Sequence, residues 1–269
     1  MSPFQNNPIG VIDSGVGGIS VLKCIREHLF HENLIYVADS KFAPYGEKSS
    51  EEITRRVLNI FDFLNKQDVK SVVIACNTAT AASIQILRDR FSYPIIGMEP
   101  AVKPASLMSK NKIVGILATS GTLLSAKFSA LLEHHSNDIH FITQPCFGLV
   151  ELVEHGDLDS PALIALLKKY IDPLLKEKID TLVLGCTHYS FLKPAIQTLI
   201  PDHIKIVDTG NAVANYLKHV LVEKDLLNQN IASGTTNFWT NSLDKNADKV
   251  MADLWGKPPE SYNYRGLWV

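Results

Sequence analysis

Ser71-Val-Val-Ile-Ala-Cys-Asn-Thr-Ala-Thr80 is a short apolar run, a small residue, a cysteine, then amide and hydroxyl side chains. Far downstream, Thr181-Leu-Val-Leu-Gly-Cys-Thr-His-Tyr-Ser190 repeats that order. A bounded apolar run of this length is more often a buried parallel strand than a helix. Each cysteine then falls where a strand hands over to a helical pattern, the edge at which open α/β sheets bind ligands. Cys76 and Cys186 belong to different halves of the chain, and the question they pose is whether both thiols reach one ligand.

Working outward, Pro8-Ile-Gly-Val-Ile12 is a strand that enters Asp13-Ser-Gly-Val-Gly-Gly18 and a helical pattern from Ile19. The sixth place of the dinucleotide fingerprint is Ser20, not glycine, which makes a nicotinamide site a weak reading. Asp13 at the strand end repels a phosphate. It suits an ammonium or a proton transfer, or else it caps the helix. Leu34–Ala38 is the next strand, followed by the rigid turn Pro44-Tyr45-Gly46 and a helix whose apolar positions are Val57, Ile60, Phe61 and Leu64. Val114-Gly-Ile-Leu-Ala-Thr-Ser-Gly121 echoes Ile9-Gly-Val-Ile-Asp-Ser-Gly15, and a helix is expected from there through Leu132. Two similar α/β halves are the economical explanation. Strands are also expected near Ile139–Thr143, Ile204–Val207 and Thr235–Trp239. Further helices are expected near Leu149–Glu154, Ser160–Leu175, Asn211–Leu226 and Asn246–Trp255. The fold class is therefore α/β, with two pseudo-symmetric domains, each a mostly parallel sheet flanked by helices, and the site at their interface. Residues 1–98 with 209–269 form the first domain and 99–208 the second.

Composition bounds the function. The 269 residues are 46% hydrophobic and 20% charged, ordinary for a globular chain, and the net charge of −2 offers no basic excess for nucleic acid. No apolar run approaches a membrane span and no secretory leader is visible, so the expected location is cytoplasmic. Four cysteines without paired spacing read as free thiols. No Cys-x-x-Cys redox pair or paired zinc spacing exists, and a cysteine hydrolase has no use for a second thiol on a mirror-like element. At a helix N-terminus the Cys76 thiol is expected below its usual pKa of about 8.5. Glu151 and Glu154 share one helix face, either solvated or with one turned to a pocket, and His188 can orient or activate Cys186. Two thiols on symmetric elements suit a symmetric reaction, in which a proton leaves one face of a carbon and returns to the other.

These residues are similar to those of a known family. Asp13-Ser-Gly-Val-Gly-Gly18, Pro44-Tyr45-Gly46, Ala75-Cys-Asn-Thr-Ala79 and Leu184-Gly-Cys-Thr-His-Tyr189 resemble the aspartate/glutamate racemases, in the glutamate branch because of His188. Two departures are visible: Ser190 stands where a proline is common, and Cys146–Glu154 varies a looser segment. The resemblance implies a cofactor-independent proton transfer on glutamate, supplying D-glutamate for peptidoglycan. It implies that Cys76 deprotonates the D enantiomer, assisted by Asp13, and that Cys186 deprotonates the L enantiomer, assisted by His188 and Glu154. Ser14, Tyr45 and Gly46 would hold the side-chain carboxylate. Asn77, Thr78, Thr119, Thr122 and Thr187 would hold the α-carboxylate and ammonium. It further implies a homodimer with no metal, nucleic acid or membrane partner. An aspartate racemase or related isomerase is the alternative, followed by a non-catalytic amino-acid-binding regulator. Cys24 and Cys146 read as structural.

Overall fold

The computed structural model describes residues 4–136, 138–244 and 246–256, with the backbone of 263–265. The outer ends of the expected first domain, 1–3 and 266–269, lie outside the described residues. The strands are β1 (Ile9–Asp13), β2 (Leu34–Ala38), β3 (Ser71–Ile74), β4 (Ile95–Ile96), β5 (Ile113–Ala118), β6 (His140–Pro145), β7 (Thr181–Leu184), β8 (Lys205–Val207), β9 (Thr236–Thr240) and β10 (Asn263–Arg265). The helices are α1 (Ile19–His28), α2 (Ser50–Asn65), α3 (Asn77–Arg90), α4 (Val102–Met108), α5 (Ser120–Leu123), α6 (Ala126–His135), α7 (Leu149–Glu154), α8 (Pro161–Lys176), α9 (Lys193–Gln197), α10 (Gly210–Glu223) and α11 (Ala247–Trp255).

The strands form two sheets, in the orders β10-β9-β2-β1-β3-β4 and β6-β5-β7-β8. Every pairing is parallel. Removing β9 and β10 leaves the same winding twice, 2-1-3-4 and 6-5-7-8, so β1 corresponds to β5 and β3 to β7. In each sheet the crossovers reverse direction between the corresponding central strands, which opens a crevice at their C-terminal ends. Asp13 and Cys76 stand at one such point, Thr119 and Cys186 at the other. Strands β1, β2, β3 and β7 are buried along their whole length, as parallel strands covered by helices on both faces must be.

Local chemistry sets the element ends. Ser49 accepts from the N–H of Glu52 and Ser160 from that of Leu163, opening α2 and α8. Where one helix through Leu132 is expected, two form. Thr119 caps α5 and Ser125 accepts from the N–H of Phe128 to start α6, so the second cap breaks the run. The two cysteine turns also differ. Cys76 leads into a 14-residue α-helix, but Thr187–Leu192 is a 3-10 helix that passes into α9. Pro194, lacking an N–H, fits the first turn of a helix, and α9 starts anew at Lys193. Ser190 donates to Asp208 at 2.9 Å.

The first sheet is closed by the returning tail. Buried Arg26 on α1 donates to the carbonyls of Phe30, Glu32 and Thr235 and to the Thr236 hydroxyl. Beside it, buried Lys70 pairs with buried Glu32 at 2.5 Å, and Glu32 also accepts from the N–H of Asn228. Lys70→Met removes the ion-pair partner of buried Glu32, leaving it the Asn228 amide and the nearby charge of Arg26. We expect a loss of about 3–5 kcal/mol in chemical denaturation. No helix among the described residues is long and apolar enough to cross a membrane.

Candidate active site

One small cavity lies between the C-terminal edges of the two sheets. Its walls carry Cys76 and Asn77 from the end of β3, Thr119 from the end of β5, Cys186, Thr187 and His188 from the end of β7, and Ser14 from the end of β1. The turn Pro44-Tyr45-Gly46 and Thr78, Val150 and Gly185 complete it. None of these residues is Lys or Arg. Its volume is about 10 Å³, room for about one water. The site therefore has to widen before an amino acid can enter.

The two loops that face each other are joined by hydrogen bonds across the cavity rim. Thr187 donates to Asp13 Oδ2 at 3.0 Å, and Ser20 donates to the carbonyl of Thr187 at 3.1 Å. Asn77 Nδ2 donates to the carbonyl of Gly185 at 3.0 Å. The hydroxyls of Thr78, Thr119 and Thr122 form a triangle with edges of 2.9 to 3.0 Å. Ser120 donates to the carbonyl of Gly46 at 3.0 Å.

The Cys76 thiol sits at the N-terminus of α3 and accepts from the N–H of Ala79 at 3.4 Å. The sequence reading places this thiol below its ordinary pKa, and the structure reverses that. Burial pushes it well above the usual thiol range and the charge of Asp13 adds to the rise, while the Ala79 amide and Ser14 offset only part. A helix N-terminus lowers a pKa where water still reaches the sulfur, and here desolvation wins. Cys76 thus rests as a thiol. Its Sγ lies 4.0 Å from Ser14 Oγ, and Ser14 donates to Asp13 Oδ1 at 3.3 Å. Asp13 is 2% exposed, and burial raises its pKa to about 6 against the counteracting charge of His188.

The Cys186 side is built differently. His188 Nδ1 lies 3.7 Å from Cys186 Sγ, and its Nε2 lies 2.6 Å from Glu154 Oε1. Burial opposes charge on this ring, but Cys186 and Glu154 together outweigh it and hold the pKa well above the ordinary value. Charged His188 donates through Nε2 to Glu154 and presents Nδ1–H to the sulfur. Glu154 Oε1 also accepts from the N–H of Val16 at 2.7 Å. Of the two acids on α7, it is Glu154 that turns inward.

The glycines of Asp13–Gly18 explain why this pair fits. A Cβ on Gly15 would collide with the Glu154 carboxylate, and one on Gly17 with the His188 ring. The bare backbone of this turn thus meets a carboxylate from the other half of the chain. Gly17→Ala should displace the ring, costing about 1–3 kcal/mol of stability and most of the activity that depends on His188. Thermal unfolding alongside a rate assay checks both.

Some expected residues sit elsewhere. The Tyr45 ring walls the cavity, but its hydroxyl donates to Asp39, which also holds Arg56 and Asn241. The phenol expected to meet a carboxylate is therefore occupied. Thr122 stands behind Thr78 and Thr119, and Asp13 and Glu154 stand behind Ser14 and His188, outside the cavity wall. Val150 and Gly185 line it without having been expected, because an apolar residue and a glycine carry no chemical signal. Cys146 is buried beyond the wall and donates to the carbonyl of Gln144 at 3.4 Å. Burial raises its pKa to about 12.

The fold and cavity define an α/β protein of two like-wound sheets, with a thiol on each side of one enclosed site. Residues 9–217 match the Asp/Glu/hydantoin racemase family, and the chain belongs to that family. It is 49% identical over 261 residues to the glutamate racemase of Pseudomonas putida, spanning 97% of this chain and 98% of that one. It is 50% identical over 255 residues to that of Pseudomonas aeruginosa, spanning 94% and 96%. A glutamate racemase isoform of Bacillus anthracis superposes with a TM-score of 0.88 at 30% identity, covering 98% of both chains. The Escherichia coli glutamate racemase, solved with L-glutamate and the activator UDP-MurNAc-Ala, superposes at 0.83 with 29% identity, covering 97% and 98%.

Proposed function

We propose that this chain is a cofactor-independent glutamate racemase in which Cys186 and Cys76 face opposite sides of the substrate α-carbon. The observation that carries the reading is that both thiols, delivered by corresponding strands of the two sheets, line one cavity. Glutamate as substrate is supported by the names of relatives about half identical over nearly the full length.

For the L enantiomer, Cys186 takes the α-proton, and His188, whose Nδ1 lies 3.7 Å from the sulfur, assists it. Cys76, held as a thiol by burial, delivers its proton to the opposite face. For the D enantiomer, Cys76 is the base and Asp13 assists through Ser14. The α-carbon is a weak acid, and each ~1.4 kcal/mol of carbanion stabilisation is worth tenfold in rate. Neutral donors fixed beforehand, namely Ser14, Thr78, Thr119 and Thr187 with the backbone at Gly46, supply part of it without a Lys or Arg that would bind the ground state equally well. Asn77, which lines the cavity, leaves its Oδ1 buried and unpaired, and a substrate ammonium would satisfy it. Thr122 acts by orienting Thr78 and Thr119, and Tyr45 as a wall.

The two domains of this mechanism are residues 1–98 with 209–269 and residues 99–208, one sheet each. The enzyme works as a cytoplasmic homodimer and supplies D-glutamate for peptidoglycan.

The test is circular dichroism of purified protein with L- and D-glutamate, and separately with aspartate. Both glutamate enantiomers should converge on the racemate with no added cofactor. Aspartate turnover exceeding glutamate turnover would move the reading to an aspartate racemase.

A further inference from the structure

We propose that Asn241, the first residue after β9, is a positioning residue of the active site: its side-chain amide holds the Pro44-Tyr45-Gly46 wall in place through Asp39 and the main chain of Lys41. This rests on the racemase reading above and brings the returning tail of the chain into the site.

The register of the first sheet sets up the contact. β9 lies beside β2 with Thr240 opposite Ala38, so the next residues, Asn241 and Asp39, stand together where both strands end. Both are fully buried. The Asn241 amide is used at both ends. Its Nδ2 donates to Asp39 Oδ1 at 2.5 Å, and its Oδ1 accepts from the N–H of Lys41 at 3.0 Å. A buried carboxylate needs donors for its oxygens, and Asp39 takes the others from Tyr45 and Arg56. Asn241 thus fixes the carboxylate that in turn fixes the Tyr45 hydroxyl.

The segment held in this way has little else to define it. Between β2 and α2 it forms two 3-10 turns of three residues each, Ser40–Phe42 and Tyr45–Glu47, and such short turns are weak on their own. Side chains set its path instead. Asn241 takes the amide of Lys41, the Arg56 guanidinium lies 3.8 Å from the centre of the Phe42 ring, and Asp39 takes the Tyr45 hydroxyl. At its far end the segment meets the second half of the chain. The Gly46 carbonyl accepts from Ser120, and a Cβ on Gly46 would collide with Thr119. Any shift of this wall therefore moves Gly46 against Thr119, and both line the cavity. Asn241 is not part of the cavity wall, so it acts through the residues it holds.

Substitution separates this role from a merely structural one. Asn241→Leu keeps the size of the side chain and removes both hydrogen bonds. The substrate then has to order the wall on binding, a cost shared by ground state and transition state. KM should rise about tenfold, the order of one lost hydrogen bond to a charged group, while kcat stays within about twofold because both sulfurs keep their surroundings. The rise should be equal for L- and D-glutamate, since the same wall serves both. Asn241→Asp supplies the rescue. Protonated, the new carboxyl donates to Asp39 and accepts from Lys41 as the amide did. Ionised, it faces the Asp39 carboxylate, with Arg56 and the Tyr45 hydroxyl on the other side of Asp39. A buried carboxyl beside a carboxylate titrates well above its ordinary value, so the KM of Asn241→Asp, as a ratio to the parent's, should fall toward one as pH is lowered from about 9 to about 6. The Asn241→Leu ratio should stay level over that range.

Circular dichroism of the reaction gives KM and kcat, and thermal unfolding gives stability. An Asn241→Leu KM within about twofold of the parent's, whatever the loss of stability, overturns the assignment. So does an Asn241→Asp ratio that is as high at the acid end as that of Asn241→Leu. If Asn241→Leu does not fold, Asn241→Asp carries the test alone, and a ratio equal at both ends of the pH range overturns the assignment. A parent protein that racemises neither enantiomer overturns the racemase reading, and the role of Asn241 with it.

Discussion

Cys76→Ala and Cys186→Ala are each expected to slow racemisation of glutamate on the order of 10³-fold, within the usual range for loss of a positioned acid or base. The cavity holds nothing that replaces them. The other polar wall residues are hydroxyls and an amide, and the His188 ring is held by Glu154 on its far side. The two variants should also fail differently. Cys76→Ala keeps the base for the L enantiomer, so in heavy water it should still wash deuterium into L-glutamate while making D-glutamate only very slowly. Mass spectrometry reads the first property and circular dichroism the second. If either alanine variant racemised at near the parent rate, the sulfur at that position would not be an acid or base in the reaction.

Asp13→Asn is expected to stabilise the protein at pH 8 while impairing turnover of D-glutamate. Burial holds the Asp13 pKa up at about 6 from an ordinary 3.8, so the folded state favours the protonated carboxyl. Below the unfolded pKa both states carry the proton, and aspartate and asparagine cost the same. As pH rises from about 4 to 6 the unfolded chain gives up the proton while the folded chain holds it, and stability falls. Above pH 6 the accumulated loss is constant at about 3 kcal/mol, from ~1.4 kcal/mol per pKa unit. Asparagine avoids that loss. Its amide oxygen still accepts from the Gly15 amide, and the Thr187 hydroxyl can rotate to accept from the new NH₂. Denaturation at pH 4 and pH 8 should show little difference between the variants at the lower pH and about 3 kcal/mol at the higher. A gain independent of pH would assign it to packing. Stability surrendered at a charged buried group is what a site tuned for proton transfer entails.

Three features of the site answer to different physical scales. The neutral donors around the cavity act over hydrogen-bond distances and stand close to the cysteines in sequence, as Asn77, Thr78 and Thr187. The Glu154–His188 pair crosses from one half of the chain to the backbone of the other and is admitted only because Gly15 and Gly17 have no side chains. The Asp39–Tyr45–Arg56–Asn241 group links three distant segments and turns the Tyr45 hydroxyl away from the substrate space.

By itself the sequence determined the architecture and the two sulfurs. Continuous apolar runs ending in Cys76 and Cys186 mark buried parallel strands and their ligand-binding edge. The repeated strand-turn pattern at Ile9 and Val114 marks two like halves, since local periodicity and strand burial are properties of neighbouring residues. Only the tertiary structure decided the protonation of Cys76, because desolvation depends on everything packed around a sulfur, and a helix terminus seen alone points the other way. It alone turned Glu154 rather than Glu151 inward and gave the Tyr45 hydroxyl to Asp39. Those outcomes rest on contacts between residues far apart in the chain, and on the loss of water that such contacts cause.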